Sequence, residues 1–202
     1  MRRTIGFFLS GALAALSVVT AVEAADYTID LAHSEVGFKV RHLGIASVRG
    51  EFTDFTGTFS YDPSVPESSR VRANIKAASV DTGVEGRDEH LRSEDFFHAG
   101  MFDEITFVST GASRGEKGDL EVSGDLTIRG VTKPVVLDVA LGGMVRDPWG
   151  GERAAFTATT SIDRRDFGLA WNRMLETGGV VVGERVEITL EIEGVMDGRP
   201  NS

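Results

Sequence analysis

A strict two-residue alternation of apolar and polar side chains runs through much of this chain. It occurs in four segments, residues 35–42, 120–129, 135–141 and 184–195. Successive side chains of a β-strand point to opposite faces, so the pattern predicts strands with one dry face and one wet face. The alternating apolar positions are Val36, Phe38, Val40, Leu120, Val122, Leu126, Ile128, Val135, Leu137, Val139, Leu141, Val186, Ile188, Leu190 and Ile192.

Turn-forming residues separate these segments. Glycine, proline and aspartate concentrate at residues 61–63, 115–118, 130, 148–151 and 178–179. Antiparallel strands that share one apolar face and are joined by such turns form a sandwich or a closed barrel. The sequence therefore predicts one all-β domain.

The apolar phase changes within residues 48–62. Phe52 occupies an even-numbered position, whereas Phe55, Phe59 and Tyr61 occupy odd-numbered positions, so in one regular strand they would point to the opposite face. We interpret this change as one long strand with a bulge or a sharp bend near Gly57, which would help a sheet to close on itself.

One segment, residues 83–97, breaks the alternation with a cluster of charges. Thr82 and Glu85 have the spacing of a capping box, so we predict a short helix from about Gly83 to Arg92. On this helix Glu89 and Arg92 are close enough to form an ion pair.

The amino-terminal stretch has the layout of a secretory signal peptide. Arg2 and Arg3 precede an uncharged, largely apolar run, and small residues end at Ala24. A membrane anchor is the alternative, because the run is near the lower length limit for spanning a bilayer. We expect cleavage of residues 1–24, a single domain over residues 25–202, and a periplasmic location.

Charge and cysteine content exclude several classes of function. The chain carries a net charge of −10, and removal of residues 1–24 takes away two arginines and one glutamate, which gives −11. Such a chain repels nucleic acids, so we expect no nucleic-acid partner. The absence of cysteine excludes disulfides, thiol catalysis and cysteine-ligated metals.

The four histidines do not have the spacing of a zinc site. His33, His42, His90 and His98 form no pair with the short separation of known zinc motifs, so we predict no metal. His42 shares the apolar face of its strand, where a polar ring needs a hydrogen-bonding partner or a ligand's head group.

The cluster Arg87-Asp88-Glu89-His90 has three interpretations. It could be a solvated helix face with internal ion pairs, a polar rim around a pocket mouth, or an acid/base site. No activated nucleophile accompanies it, since the chain lacks both cysteine and a Gly-x-Ser-x-Gly elbow.

Aromatic residues predict how the interior is filled. The chain has twelve phenylalanines but only two tyrosines and two tryptophans. Phe96 and Phe97 directly follow the charged segment, and we expect Phe167 or Trp171 to close one barrel end. A lumen lined with Phe, Val and Leu could be a filled core or could hold an apolar ligand.

Taken together, the segments resemble one known family. The chain is similar to the YceI-like family of periplasmic polyisoprenoid-binding proteins across nearly all of residues 27–195. The matching segments are YTIDLAHSEVGFKVRHLGIASVRGEFTDFTGTF, ASVDTGVEGRDEHLRSEDFF, ITFVST, VSGDLTIRGVTKPVVL, IDRRDFGLAWN and GGVVVGERVEITLEIEGV.

The resemblance implies an extended, antiparallel, lipocalin-like β-barrel with a short helical segment near residues 83–97. It also implies a carrier or store of a long-chain isoprenoid lipid or a related amphiphile such as a fatty-acid derivative, with a quinone or polyprenyl lipid as ligand and no other cofactor. A homodimer and a transient membrane contact for lipid loading are further expectations. We predict the ligand-binding side chains to be Phe38, Val40, His42, Phe52, Arg87, Asp88, His90, Leu91, Phe96, Phe97, Phe107 and Trp171.

Two alternatives to this carrier stay open. One is a periplasmic enzyme that acts on a lipid or small molecule through Asp88 and His90. The other is a stress-protective barrel whose interior is filled with side chains. We expect no catalytic residue.

Overall fold

The computed structural model describes residues 24–115, 119–176 and 178–198. The predicted signal peptide lies outside this range, except for Ala24. Four short 3-10 turns accompany the regular elements, at Leu31–His33, Pro66–Ser68, Ala77–Ser79 and Arg164–Phe167. In chain order, the strands and the helix are β1 (Ala25–Ile29), β2 (Glu35–His42), β3 (Ala46–Phe52), β4 (Phe55–Tyr61), β5 (Arg70–Lys76), β6 (Val80–Asp81), α1 (Glu85–Arg92), β7 (Glu104–Arg114), β8 (Leu120–Ile128), β9 (Val131–Arg146), β10 (Glu152–Asp163) and β11 (Val182–Met196).

The strands form a closed antiparallel barrel. Eight of them pair in the circular order β1-β4-β5-β7-β8-β9-β10-β11, and the pairing of β11 with β1 closes the ring. Closure leaves these strands without free edges, which removes the main route by which β-proteins aggregate. The predicted all-β barrel with one short helix is confirmed.

Two strands, β1 and β2, pair with the same edge of β11. The sheet therefore extends beyond the eight-stranded ring. Residues 182–191 of β11 pair with β2, and residues 194–196 pair with β1. Strands β3 and β6 continue outward from β2. The wall therefore extends beyond the ring at the end where β2, β3 and the helix lie.

Alternation predicts most of the side chains that line the interior. The apolar positions predicted to face inward in β2, β8, β9 and β11 all line a common interior apart from Leu141, and the polar His42, predicted on the same face of β2, does not line it. Leu141 is 48% exposed and lies beside a break in the pairing of β9 with β10. Leu141 pairs with Phe156, which lines the cavity, so Leu141 shares the inward face and lies beyond Val139, the last β9 residue of the lining.

The interpretation of residues 48–62 as one bent strand was wrong. They form two strands, β3 and β4, which are separated at Thr53 and Asp54. The Thr53 N–H and hydroxyl both donate to Ser79 O, which fixes this corner. Gly57 lies in the middle of β4, where a Cβ atom would approach Ile29 and the backbone of Arg72.

The helix is present but begins differently from the prediction. Val84 is its N-cap, no side chain caps it, and Thr82 bonds to Asp88 instead of the first helical turn. The capping box was therefore wrong. Arg92 pairs with Glu85, not with Glu89. Within the described residues, no helix has the length and apolarity to cross a membrane.

Candidate binding site in the barrel lumen

A continuous apolar cavity of about 240 Å³ runs inside the barrel. Nearly all of its lining is aliphatic or aromatic, and every strand except β1, β3 and β6 contributes more than one side chain to it. The lining includes Phe38, Phe52, Phe55, Phe59, Leu91, Phe96, Phe97, Ile105, Phe107, Val122, Leu126, Leu137, Val139, Phe156, Ala158, Phe167, Ile188, Leu190 and Ile192.

The cavity is long and narrow. The lining side chains of β11 alone run from Val182 to Ile192, which corresponds to roughly 30 Å of extended strand. Its volume is nevertheless slightly below the ~300–1,000 Å³ of typical small-molecule pockets. A space with these proportions fits a slender, linear molecule better than a bulky one.

One end of the cavity is covered by two segments that contact each other. The cap segment (residues 83–103) contributes Leu91, Phe96 and Phe97, and the plug turn (residues 163–171) contributes Phe167 and Leu169. Arg129 joins the two segments, because its Nη1 donates to Phe96 O at 3.2 Å and to Gly168 O at 2.9 Å. We expected Phe167 or Trp171 to close one end of the barrel. Phe167 lies at this end and is almost fully buried.

Among the described residues that line the cavity, Arg164 is the only one with a charged side chain. It is 4% exposed, and its guanidinium donates to three backbone carbonyls: Gly183 O at 2.9 Å, Val182 O at 3.4 Å, and Leu169 O. Burial lowers the pKa of Arg164 from its ordinary value, yet an arginine stays charged under all physiological conditions. Nothing in the segment DRRDF tells which of the two adjacent arginines is buried, so Arg164 could not be predicted from the sequence.

The opposite end of the cavity is aromatic. Tyr27 stacks on Phe59 with ring centroids 4.8 Å apart, and Tyr61 packs edge-on against Phe156 at 5.0 Å. The Tyr27 hydroxyl is buried and has no hydrogen-bond partner among the described residues. Burial raises the pKa of Tyr27, so this hydroxyl stays neutral.

The predicted ligand-binding residues divide into two groups. Those in the first group line the cavity, and those in the second lie outside its lining. The first group is Phe38, Val40, Phe52, Leu91, Phe96, Phe97 and Phe107; the second is His42, Arg87, Asp88, His90 and Trp171.

Arg87 and Asp88 belong to a hydrogen-bonded cluster that fixes the start of the cap segment. Asp88 is 4% exposed and accepts from Thr82 N at 3.0 Å and from Thr82 Oγ1 at 2.5 Å. Arg87 Nε donates to Thr82 Oγ1 at 2.6 Å, and its Nη2 donates to Thr82 O at 2.8 Å. Thr82 thus bonds to both Arg87 and Asp88, and these bonds hold the cap segment against the end of β6.

His90 and Trp171 join the cap segment to the plug turn from outside the cavity. Their ring centroids are 4.7 Å apart, and His90 Nε2 is 2.9 Å from Asp95 Oδ2. Trp171 also packs on Phe96 at 5.3 Å. His42 ends β2 beside the turn to β3 and is half-buried.

A second ionic cluster lies at the aromatic end, on the outer surface of the barrel. Asp30, His33 and Glu193 come together in a geometry that could hold a metal ion. Arg153 Nη1 already donates to Asp30 at 2.7 Å and to Glu193 at 2.5 Å. Arg153 lowers the pKa of Asp30 to about 2, so these carboxylates have a cationic partner within the chain.

Comparisons with known proteins agree with this architecture. The model of the YceI-like domain matches residues 27–194. The chain belongs to the YceI-like family. A UPF0312 protein of Shewanella oneidensis is 42% identical over 184 residues, which cover 90% of this chain and 93% of that protein.

Solved structures share the fold. BcnA of Burkholderia cenocepacia superposes with a TM-score of 0.72 at 23% identity, over 82% of this chain and 98% of BcnA. A polyisoprenoid-binding domain of Saccharophagus degradans, implicated in plant cell wall breakdown, gives a TM-score of 0.62 at 15% identity. That match covers 86% of this chain and 99% of the domain. At these identities the likeness establishes the barrel fold.

Proposed function

We propose that this protein binds one long-chain isoprenoid lipid, of the quinone or polyprenyl class, in its barrel lumen and carries or stores it. The observation that supports this most strongly is the shape and chemistry of the cavity: long, narrow, and lined almost entirely by apolar side chains. The structural neighbour described as a polyisoprenoid-binding domain supports the same ligand class.

The energetics of such a lumen suit a linear apolar chain. Each buried CH₂ group contributes about 0.8 kcal/mol, so a chain of several isoprene units can bind tightly without specific bonds. The same chain is poorly soluble in water. A water-soluble barrel that encloses it would therefore allow its movement between membranes.

We propose binding without catalysis. The alternative enzyme would use Asp88 and His90, but neither residue lines the cavity. Asp88 is buried and engaged by Thr82, and His90 is engaged by Asp95 and two aromatic rings. These contacts support a structural role for both residues in the cap segment.

Location and assembly complete the proposal. We propose that the protein acts in the periplasm after cleavage near Ala25, which is also the first residue of β1. A homodimer and a transient membrane contact stay predictions of the family resemblance.

The proposed function is tested by filling the lumen at one position. Ala158 on β10 is buried and lines the cavity, whereas Ala140 on the adjacent strand β9 is exposed. We expect Ala158→Phe to weaken binding of geranylgeraniol at least about tenfold, because the added ring occupies the space of several methylene groups. Ala140→Phe adds the same ring outside and should leave the Kd unchanged.

Binding is measured by titration of the delipidated protein, and folding is checked by thermal unfolding. Equal Kd values for Ala158→Phe and the parent protein, with both folded, would contradict binding in the lumen. Absence of any geranylgeraniol binding by the parent protein would contradict the proposed function as a whole.

A further inference from the structure

The turn between β2 and β3 exposes apolar side chains at the end of the barrel that the cap segment and the plug turn cover. Leu43 and Ile45 lie in this turn, and Ile45 is 84% exposed. The Leu43 N–H donates to Val181 O at 2.9 Å, which places the turn beside the segment that precedes β11. In that segment Met174 pairs with Val180 and is 77% exposed. We call Leu43, Ile45 and Met174 the apolar tip.

The backbone of this turn does not suit the leucine that occupies it. Leu43 has a φ of 54°, and Gly44 after it has a φ of 73°. Two-residue hairpin turns with positive φ at both positions favour asparagine followed by glycine, and a leucine in this conformation is strained. Leu43 belongs to neither core cluster and does not line the cavity. The fold therefore gives no reason for an apolar residue at this position.

Four exposed arginines flank the apolar tip, and none of them forms an ion pair with a described residue. They are Arg41 of β2, Arg49 of β3, Arg173 beside Met174, and Arg185 of β11. The register of β2 with β3 makes Arg41 and Arg49 diagonal neighbours on adjacent strands. Like charges on neighbouring strands repel each other, so an anion that contacts both would relieve this repulsion.

Several acids near these arginines already bond to other cations. Glu187 accepts from Lys39 at 2.5 Å and also attracts two of the four arginines through space. Asp163 and Glu184 each bond to Arg165 at 2.7 Å. The other acids within residues 39–51 and 172–187 are Glu51 and Glu176. The four arginines thus outnumber the acids left to them, on a chain whose net charge is −10.

We propose that the apolar tip and its four arginines dock the barrel on a membrane of anionic phospholipids. Exposed apolar side chains insert at the boundary between head groups and acyl chains, and cations beside them contact the lipid phosphates. An acidic protein would satisfy the arginines alone, whereas a membrane also takes up Ile45 and Met174. Because the acidic chain as a whole is repelled by such a membrane, the patch fixes which end of the barrel faces it.

This proposal rests on the proposed function for the purpose of the contact, since a carrier must approach a membrane to load its lipid. The docking surface is separate from the lumen. None of its three apolar residues or four arginines lines the cavity. Docking and lumen binding are therefore measurable independently.

Sedimentation of the purified protein with vesicles tests the docking. Vesicles of phosphatidylglycerol and phosphatidylcholine in equal parts are compared with vesicles of phosphatidylcholine alone. We expect partition into the anionic vesicles to be at least about tenfold stronger at low salt, and this difference to vanish near about 0.5 M salt, where surface charges are screened. Equal partition into both kinds of vesicle, or none into either, would overturn the proposal.

Leu43→Asn separates docking from folding, because it should change the two in opposite directions. Asparagine suits the positive φ of the turn, so the Tm should rise. Loss of the apolar side chain should weaken partition into the anionic vesicles at least about threefold. Unchanged partition in this variant would contradict the role of the apolar tip.

Trp149→Ser is the matched control for the apolar tip. Trp149 is also 84% exposed, but it lies in the turn between β9 and β10, at the other end of the barrel. Partition of this variant should equal that of the parent protein. Loss of partition in Trp149→Ser would place the docking surface at the wrong end and overturn the proposal.

The double variant Arg41→Gln/Arg49→Gln tests the charges. We expect partition into anionic vesicles to fall about tenfold or more, because each cation near such a surface contributes roughly fivefold. Arg72→Gln is the matched control, since Arg72 is exposed on β5, away from the apolar tip. It should weaken partition by less than about twofold. Equal effects per arginine at both places would show a response to net charge alone and contradict a defined patch.

Geranylgeraniol binding in the same variants distinguishes failure of this proposal from failure of the proposed function. Leu43→Asn and Arg41→Gln/Arg49→Gln should keep the Kd of the parent protein, and Ala158→Phe should keep its partition into anionic vesicles. Absence of vesicle partition with intact geranylgeraniol binding would overturn docking alone. Partition into vesicles without geranylgeraniol binding would overturn the proposed function and leave docking in place.

Discussion

Two charged segments cover the same end of the barrel, and their charged side chains bond to different kinds of partner. In the cap segment, Arg87 and Asp88 both bond to Thr82, through four hydrogen bonds in all. In the plug turn, Arg165 forms ion pairs with Asp163 and Glu184, whereas the buried Arg164 donates to three backbone carbonyls. The cap segment thus uses a neutral threonine where the plug turn uses carboxylates and backbone carbonyls.

In both segments the charged side chains bond to partners within the chain and support the structure. A buried ion whose partners all lie within the chain has little left to offer a ligand. The number of charged residues in a segment is thus a weaker guide to function than their remaining hydrogen-bonding capacity.

The largest effect on stability should come from breaking the cap-segment cluster. Asp88→Ala leaves the N–H and the hydroxyl of Thr82 without their acceptor at a partly buried site. We expect a loss of about 2–4 kcal/mol in the free energy of unfolding, because hydrogen bonds to a charged group are strong and their buried donors would be orphaned. Urea-induced unfolding measures this quantity.

Glu89→Ala provides the control on the same helix, since Glu89 is exposed. It should change the free energy of unfolding by less than about 0.5 kcal/mol. The Kd of geranylgeraniol should stay at the parent value in folded Asp88→Ala, because Asp88 does not line the cavity. A changed Kd would show that the cap-segment cluster takes part in ligand binding.

A smaller, pH-dependent effect is expected at the plug turn. The hydrogen bond from Arg165 lowers the pKa of Asp163 to about 2. A carboxyl group whose pKa is lower in the folded state stabilises that state above its unfolded pKa, near 4, and loses this contribution as the pH falls towards 2. Arg165→Gln should therefore reduce stability at neutral pH and approach the parent protein in acid.

Urea unfolding of both proteins from neutral pH down to the lowest pH at which they fold measures this convergence. Carbon NMR of the Asp163 carboxyl should show a higher pKa in the variant. A stability difference that does not depend on pH would contradict the proposed role of this ion pair.

Much of the barrel could be predicted from alternation, because a strand with one buried face imposes a period of two on its sequence. Alternation correctly predicts the inward positions of β8 and β11, among them Val122 and Ile192. The corner at Thr53 could not be predicted from the sequence, because the strands before and after it have similar amino-acid compositions. Its fixing bonds go to Ser79, which is distant in the chain.

The site was predicted less completely than the fold. The aromatic lining residues Phe96, Phe97 and Phe107 were found because apolar side chains need an interior. The polar residues that were predicted to bind the ligand do not line the cavity. Spacing along the sequence does not reveal which residues a polar side chain bonds to in the folded protein. Thr82 and Glu85 matched a capping box, yet Thr82 bonds to Asp88 and Glu85 to Arg92. The burial of Arg164 depends on the carbonyls of a strand that begins many residues later.

Methyl NMR during titration with geranylgeraniol tests most directly whether the lumen is the binding site. Strand β9 carries methyl groups on both faces: Leu137 and Val139 line the cavity, whereas Val136 and Val145 are exposed. We predict that the resonances of Leu137 and Val139 shift on binding and that those of Val136 and Val145 stay in place. Shifts confined to the exposed methyl groups would contradict a ligand in the lumen.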